Sequence, residues 1–148
     1  MAAPEITVWV SGSEVIDEGL VDFGSALRGQ PIERIFTIVN DGGAPLNLSP
    51  LNQATLPVGF SLVANLGTTT LAPGQSTTFA MRLDATTLGS FSGSLAVATN
   101  DPDENPFDLL LDGSVIAPEI AVEVEGGNVT DGQTIDFGVT MPGVPVLR

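Results

Sequence analysis

Residues 4–34 read PEITVWVSGSEVIDEGLVDFGSALRGQPIER, and residues 118–148 read PEIAVEVEGGNVTDGQTIDFGVTMPGVPVLR. The two stretches align without a gap at an offset of 114, and 14 of the 31 positions are identical. The matches include Pro4/Pro118, Glu5/Glu119, Ile6/Ile120, Asp22/Asp136, Phe23/Phe137, Gly24/Gly138, Gly29/Gly143 and Pro31/Pro145. A fixed period marks an array of similar units. Within the first copy Ile6, Val8 and Val10 alternate with Thr7 and Trp9, the period of a strand with one face toward a core.

The same alternation continues outward. Ile32, Phe36 and Ile38 share one face of Pro31–Val39, which ends at the turn Asn40-Asp41-Gly42-Gly43. Leu46–Leu51 is a short strand closed by Ser49-Pro50. Phe60–Ala64 places Phe60, Leu62 and Ala64 on one side. Leu71-Ala72-Pro73-Gly74 is a turn, because Pro presets φ and Gly tolerates a positive one. Thr77, Phe79, Met81 and Leu83 alternate next, then Leu95 and Val97 within Gly93–Thr99, then Phe107, Leu109, Leu111 and Gly113. No window holds a helical period. Seven or eight short strands with frequent turns predict an all-β, antiparallel β-sandwich.

Composition excludes whole classes of chemistry. The 148 residues carry 18 Asp and Glu against four Arg and no Lys, a net charge of −14. Four scattered Arg cannot form the basic stripe that nucleic acid requires, and an anionic membrane surface would repel the chain. Cys, His and Tyr are absent, which removes disulfides, Cys/His zinc sites, haem ligation by His or Cys, thiol nucleophiles and Ser-His-Asp chemistry. Paired carboxylates remain for glycoside hydrolysis, but that chemistry usually needs a cleft lined with aromatics. The seven Phe and one Trp are mostly required by the core. The expectation is a protein that is not an enzyme. No run of apolar residues is long enough to insert in a membrane, and MAAPEITV has neither the basic nor the apolar region of a signal peptide. The acidic, Lys-free, Thr/Ser/Gly/Asn-rich composition resembles extracellular or cell-surface material.

The order of short motifs resembles a known family. PEI-x-V precedes DFG-x-x-x-x-G, then R-x-F-T-I-x-N-x-G over Arg34–Gly42. Phe60-Ser61-Leu62, Leu71-Ala72-Pro73-Gly74 and Thr99-Asn100-Asp101-Pro102 follow, and the unit closes at Gly113. This resembles the bacterial choice-of-anchor D repeat, related to the ASPM–SPD-2–Hydin (ASH) domains. The resemblance covers residues 4–116 and resumes at 118. It implies an immunoglobulin-like sandwich over residues 1–116, followed over 117–148 by the opening strands of a second repeat. It also implies tandem arrays in large exported or surface bacterial proteins, and it brings no catalytic residues.

Three places invite a functional reading. Asn100–Pro106 is the richest polar cluster, and Asp101, Asp103 and Glu104 are candidate ligands for Ca²⁺, which takes six to eight oxygens. Its spacing does not match an EF-hand loop, and an Asx turn joining two strands accounts for the same residues. No other cofactor is expected. Trp9 has Glu123 as its counterpart, so it is expected at the periphery, either exposed or covering a contact between units. Asp22-Phe23-Gly24 is not a kinase motif, since Lys and a phosphate loop are missing. It is a buried Phe beside a bend.

Ile120, Val122, Val124, Ile135 and Phe137 match core positions of the first copy and are expected to form an interface. Two or three strands without an opposing sheet are marginal. They are expected to pack within a longer array, on the edge of the first unit, or in a neighbouring subunit by strand donation. Head-to-tail donation would build an open filament. The sequence thus points to a tandem module of a surface fibre, with self-association or neighbouring repeats as partner. Two alternatives stay open. One is an adhesion module binding calcium, glycan or protein, and the other is an accessory domain of a large secreted enzyme.

Overall fold

A computed structural model describes residues 2–148. Contacts divide the chain into a first unit ending at Ala117 and a second, Pro118–Arg148. The first unit contains β1 (Ile6–Val10), β2 (Ser13–Val15), β3 (Gly19–Leu27), β4 (Ile32–Asn40), β5 (Leu46–Asn47), β6 (Phe60–Ala64), β7 (Thr70–Leu71), β8 (Ser76–Leu83), β9 (Gly89–Val97) and β10 (Phe107–Ile116). A 3-10 turn spans Gln53–Thr55. The second unit holds the hairpin β11 (Val122–Val124) and β12 (Gly127–Val129).

Alternation sends every second side chain of the first unit inward, and two sheets close over them. One sheet runs β2-β1-β4-β8-β6, the other β3-β10-β9, and β5 pairs with β7 at one end. The inner faces meet through Val8, Phe36, Ile38, Phe79, Met81 and Leu83 on one side. Phe23, Val97, Phe107, Leu109 and Leu111 face them from the other. Phe36 and Phe79 are register partners, and their rings stack at 4.5 Å. Phe23 meets Phe60 edge-on at 5.2 Å. Each buried Phe contributes on the order of 2–3 kcal/mol.

Several local expectations are refined. The motif Asp22-Phe23-Gly24 lies within a nine-residue strand, β3, that simple alternation conceals. Gly24 has φ +80°, and the Asp22 carboxylate accepts its N–H at 2.7 Å. The resulting bulge shifts the phase, so that Val21, Phe23 and then Ala26 point inward. On the neighbouring strand the register shifts between Asp112 and Ser114. A side chain at Gly113 would come within 2.9 Å of the Leu83 side chain and 3.2 Å of Phe23, so Gly113 marks where the two sheets approach closely. β3 and β10 run parallel, while every other described pair is antiparallel. The expected strand Leu46–Leu51 shortens to β5 plus a bridge from Leu48 to Thr99. A bulge between Leu62 and Ala64 turns Ala64 outward, against the alternation expected there.

The two copies can be compared position by position. Ser11, Gly12, Glu18, Gly24 and Gly29 have positive φ, and so do Glu125, Gly126, Gly132, Gly138 and Gly143 at the offset of 114. The hairpin β1–β2 is reproduced as β11–β12. Asp136 accepts the Gly138 N–H at 2.7 Å, as Asp22 does for Gly24. Burial is not reproduced. Ile6, Val8 and Phe23 are at most 3% exposed, whereas Ile120, Val122 and Phe137 are 87%, 46% and 50% exposed.

That contrast sets a prediction for thermal or urea unfolding. Phe23→Ala should cost about 3–5 kcal/mol, as large-to-small core changes do. Phe137→Ala should change stability by less than about 0.5 kcal/mol. Equal effects would refute the assignment of buried and open copies.

Candidate functional site

The acidic loop between β9 and β10 folds back onto the start of β1. Asp101 is 1% exposed. Its Oδ2 accepts the Ile6 N–H at 2.8 Å, and its own N–H donates to Thr99 Oγ1 at 2.7 Å. Its Oδ1 accepts the Asp103 N–H at 3.4 Å. Asn105 Oδ1 accepts the Thr99 N–H, and Asn100 holds Asn47 and Pro45 through one bond each. These side chains act on backbone groups, as Asx turns do.

One oxygen from each of Glu5, Asp101 and Glu104 lies within 4.8 Å of the others. The sequence-derived set is Asp101, Asp103 and Glu104; the grouping in the structure contains Glu5 and not Asp103. Asp103 is exposed, its backbone N–H closes the turn on Asp101, and it supplies no oxygen to the cluster. Glu5 takes its place, brought there by the bond that clamps Ile6 to Asp101. Burial, then Asp101, Asp103 and Asp41, raise the carboxyl pKa of Glu5. Burial, then Asp101, Glu5, Asp17 and Asp103, raise that of Glu104. Glu104 Oε2 is buried without a hydrogen-bond partner. Three crowded carboxylates resolve their repulsion either by taking up a proton or by sharing a hard divalent cation.

The other expected residues fall as follows. Trp9 is 38% exposed on the outer face of the larger sheet, between Glu14 and Thr37. Ile120, Val122, Ile135 and Phe137 are exposed and Val124 is half-buried. One structural residue passed over at the sequence level is Asn40, fully buried. Its Nδ2 donates to Ala44 O at 2.8 Å and Leu71 O at 2.9 Å, while its Oδ1 accepts the Gly42 N–H at 3.0 Å. The asparagine preceding Asp41-Gly42 was the available signal; the partner 31 residues away was not.

Two facing sheets of this connectivity, closed by buried Asn and Asp clamps, define an immunoglobulin-like module. The chain belongs to the HYDIN/CFA65/VesB-like Ig-like domain family, whose model matches residues 15–114. No curated protein matches the sequence. Among solved structures, a protein of unknown function from Porphyromonas gingivalis is similar at 21% identity and a TM-score of 0.55, over 77% of this chain and 49% of its own. The Vibrio cholerae VesB protease is similar at 17% identity and a TM-score of 0.51, over 73% of this chain and 31% of its own. The ASH/PapD-like domain 7 of human CEP192 is similar at 14% identity and a TM-score of 0.52, over 76% of this chain and 87% of its own. The chain therefore spans about half of the first structure and about a third of the second. At these identities the likeness is one of fold. Among the described residues no helix is long and apolar enough to cross a membrane.

The acidic corner has a signed pH dependence. The raised pKa values of Glu5 and Glu104 mean that the folded state holds their protons better than the unfolded chain. Their contribution is therefore most favourable at acid pH and is lost as pH rises above the ordinary value of 4.5 through the raised ones. Glu104→Gln should raise Tm at neutral pH by about 2 °C, with the gain vanishing in acid. Millimolar Ca²⁺ should raise the Tm of the parent and not of Glu104→Gln. An unchanged parent Tm removes the cation, and a lowered Tm of the calcium-free variant contradicts the crowding.

Proposed function

We propose that this chain is a non-enzymatic structural module of a bacterial extracellular fibre or stalk, with Pro118–Arg148 opening the next sandwich in series. The supporting observation is the pairing of identical local backbone with opposite burial. β11–β12 and the Asp136-Phe137-Gly138 turn repeat the start of a sandwich, while Ile120, Val122 and Phe137, which match buried residues of the first copy, are exposed. Strands of this kind gain their stability from the strands that follow them, as β1 and β3 do from pairing with β4 and β10.

Strand donation to a neighbouring subunit is a weaker form of the same idea. In the first unit the place is filled by its own Ile6, Val8, Val21 and Phe23. Exchanging them for Ile120, Val122, Ile135 and Phe137 would swap near-equals and bury no new surface. It would also surrender the entropic advantage of an intramolecular segment. Association in series adds burial at every module, and exchange does not.

The extracellular placement rests on composition: a Lys-free chain of net charge −14, rich in Thr, Ser, Gly and Asn. The second reading, an adhesive module that binds calcium, is favoured by the buried, unpartnered Glu104 Oε2 beside Asp101 and Glu5. Antibody against the first unit, applied to intact cells and viewed by electron microscopy, tests the main proposal. Label on structures projecting from the surface supports it. Label that appears only after the cells are opened overturns it.

A further inference from the structure

The strand edges of the first unit are not alike. Edges invite pairing with other chains, and proteins blunt them with shortness, charge, bulges or cover. β2 is three residues long and carries Glu14. β3 has the bulge at Gly24, and Arg34 Nη2 donates to its Phe23 carbonyl at 3.4 Å. β6 is bulged, and its Leu62 N–H donates to Gln53 Oε1 at 2.7 Å. Asn65 bonds both backbone groups of Leu51, laying that segment beside β6.

β9 has none of these devices. Gly89–Val97 contains no charge and no proline, and its ladder to β10 runs unbroken from Val97↔Phe107 to Gly89↔Val115. Among the described residues its backbone bonds to no other strand; Ser49 reaches Ala98 just beyond its end, and Pro57 and Gly59 pack against Gly93 and Phe91 without bonding their backbone.

Charge singles out the same flank. Between Asp41 and Asp101 the only charged residues are Arg82 and Asp84, and they pair at 3.0 Å. This stretch builds β5 to β9. β6 and β9 end their sheets on one side of the sandwich: a side chain added at Gly59 would meet the Phe91 ring, and one at Gly93 would meet Pro57. The net charge of −14 is thus carried elsewhere. Val58, Val63 and Leu88 stand exposed on the neutral stretch, Val58 at 85%.

The geometry points to this flank as a self-association surface, on which β9 of one copy pairs antiparallel with β9 of a second and joins two three-stranded sheets into one. A second copy meets little like charge on this flank, because nearly all the acids lie before residue 42 or after residue 100. Carboxylates on the remaining faces repel a like-charged copy. Across a β9–β9 contact the nearest ladder carboxylates, Asp108 and Asp112, sit one strand back on β10. Three strand spacings, about 14 Å, separate them from their equivalents, beyond the Debye length of about 8 Å in physiological salt. Ser90, Ser92, Ser94 and Ala96 form a small, exposed outer face. Antiparallel pairing of a strand with itself is two-fold, so the contact closes at a dimer.

Sedimentation equilibrium of the full chain, from about 20 µM to about 1 mM in physiological salt, tests this. A monomer–dimer equilibrium is expected, strengthened by added salt as residual repulsion is screened. Ser92→Lys, whose new ammonium lies opposite Asp112 within the same sheet, and Val58→Glu should each weaken dimerisation at least about tenfold. Ile16→Lys, on the far flank, and Phe137→Ser should change it less than about twofold. Amide exchange should slow along Gly89–Val97 as concentration rises. A chain that stays monomeric overturns the proposal. So does association that survives Ser92→Lys and Val58→Glu but is lost in Phe137→Ser.

Discussion

The seat of Phe23 is the constraint on which the rest of the first unit depends. The ring meets Phe60 edge-on at 5.2 Å, Arg34 lies over it at 5.8 Å, and Gly113 leaves the room that brings the sheets together. None of these contacts comes from the segment that carries Phe23. Phe60, Arg34 and Gly113 belong to β6, β4 and β10, all later in the chain. Phe137 sits in the same local turn, with the same Asx bond and the same positive φ at the following glycine, and is 50% exposed. Local chemistry therefore writes the backbone of both copies, while burial belongs to the sheet that faces it.

Polar clamps decide how the ends of the sandwich meet. Asn40 ties β4 to the 42–44 turn and to β7, satisfying backbone groups that would otherwise be buried unpaired. Asp101 does the same between the β9–β10 loop and β1. The second clamp draws Glu5 and Glu104 into a crowded acidic corner, and the remaining acids follow the segments before residue 42 and after residue 100. The stretch that builds β5 to β9 is thus poor in acids, an asymmetry that follows from where the chain places its charges and not from the fold class.

Much of this architecture was legible before the fold was known. Alternation of Ile6, Val8 and Val10, of Phe79, Met81 and Leu83, and of Phe107, Leu109 and Leu111 is simple, and all nine side chains are buried. β3 was hidden because Gly24 shifts its phase, so no window of strict alternation spans it. β5 and β7 are two residues each, too short for alternation to show, and their register partners Leu46 and Leu71 are both fully buried. The candidate site was half legible. Asp101 and Glu104 stood in a visible acidic run, whereas Glu5 joins them through one hydrogen bond spanning almost the whole first unit. Asp103 lies next to them in sequence, but it is exposed and falls outside the cluster, where its backbone N–H closes the turn on Asp101.

The claim that Pro118–Arg148 opens a sandwich is tested most directly by giving it the sheet it lacks. Residues 35–116 of the same chain can be fused directly after Arg148, the position equivalent to Arg34. The measurement is calorimetric unfolding together with amide exchange at Phe137. The account predicts a second cooperative unit, an unfolding enthalpy near twice that of the parent, and a Phe137 amide as protected as that of Phe23. An unchanged enthalpy, with Phe137 still exchanging freely and the added strands unfolded, would contradict it.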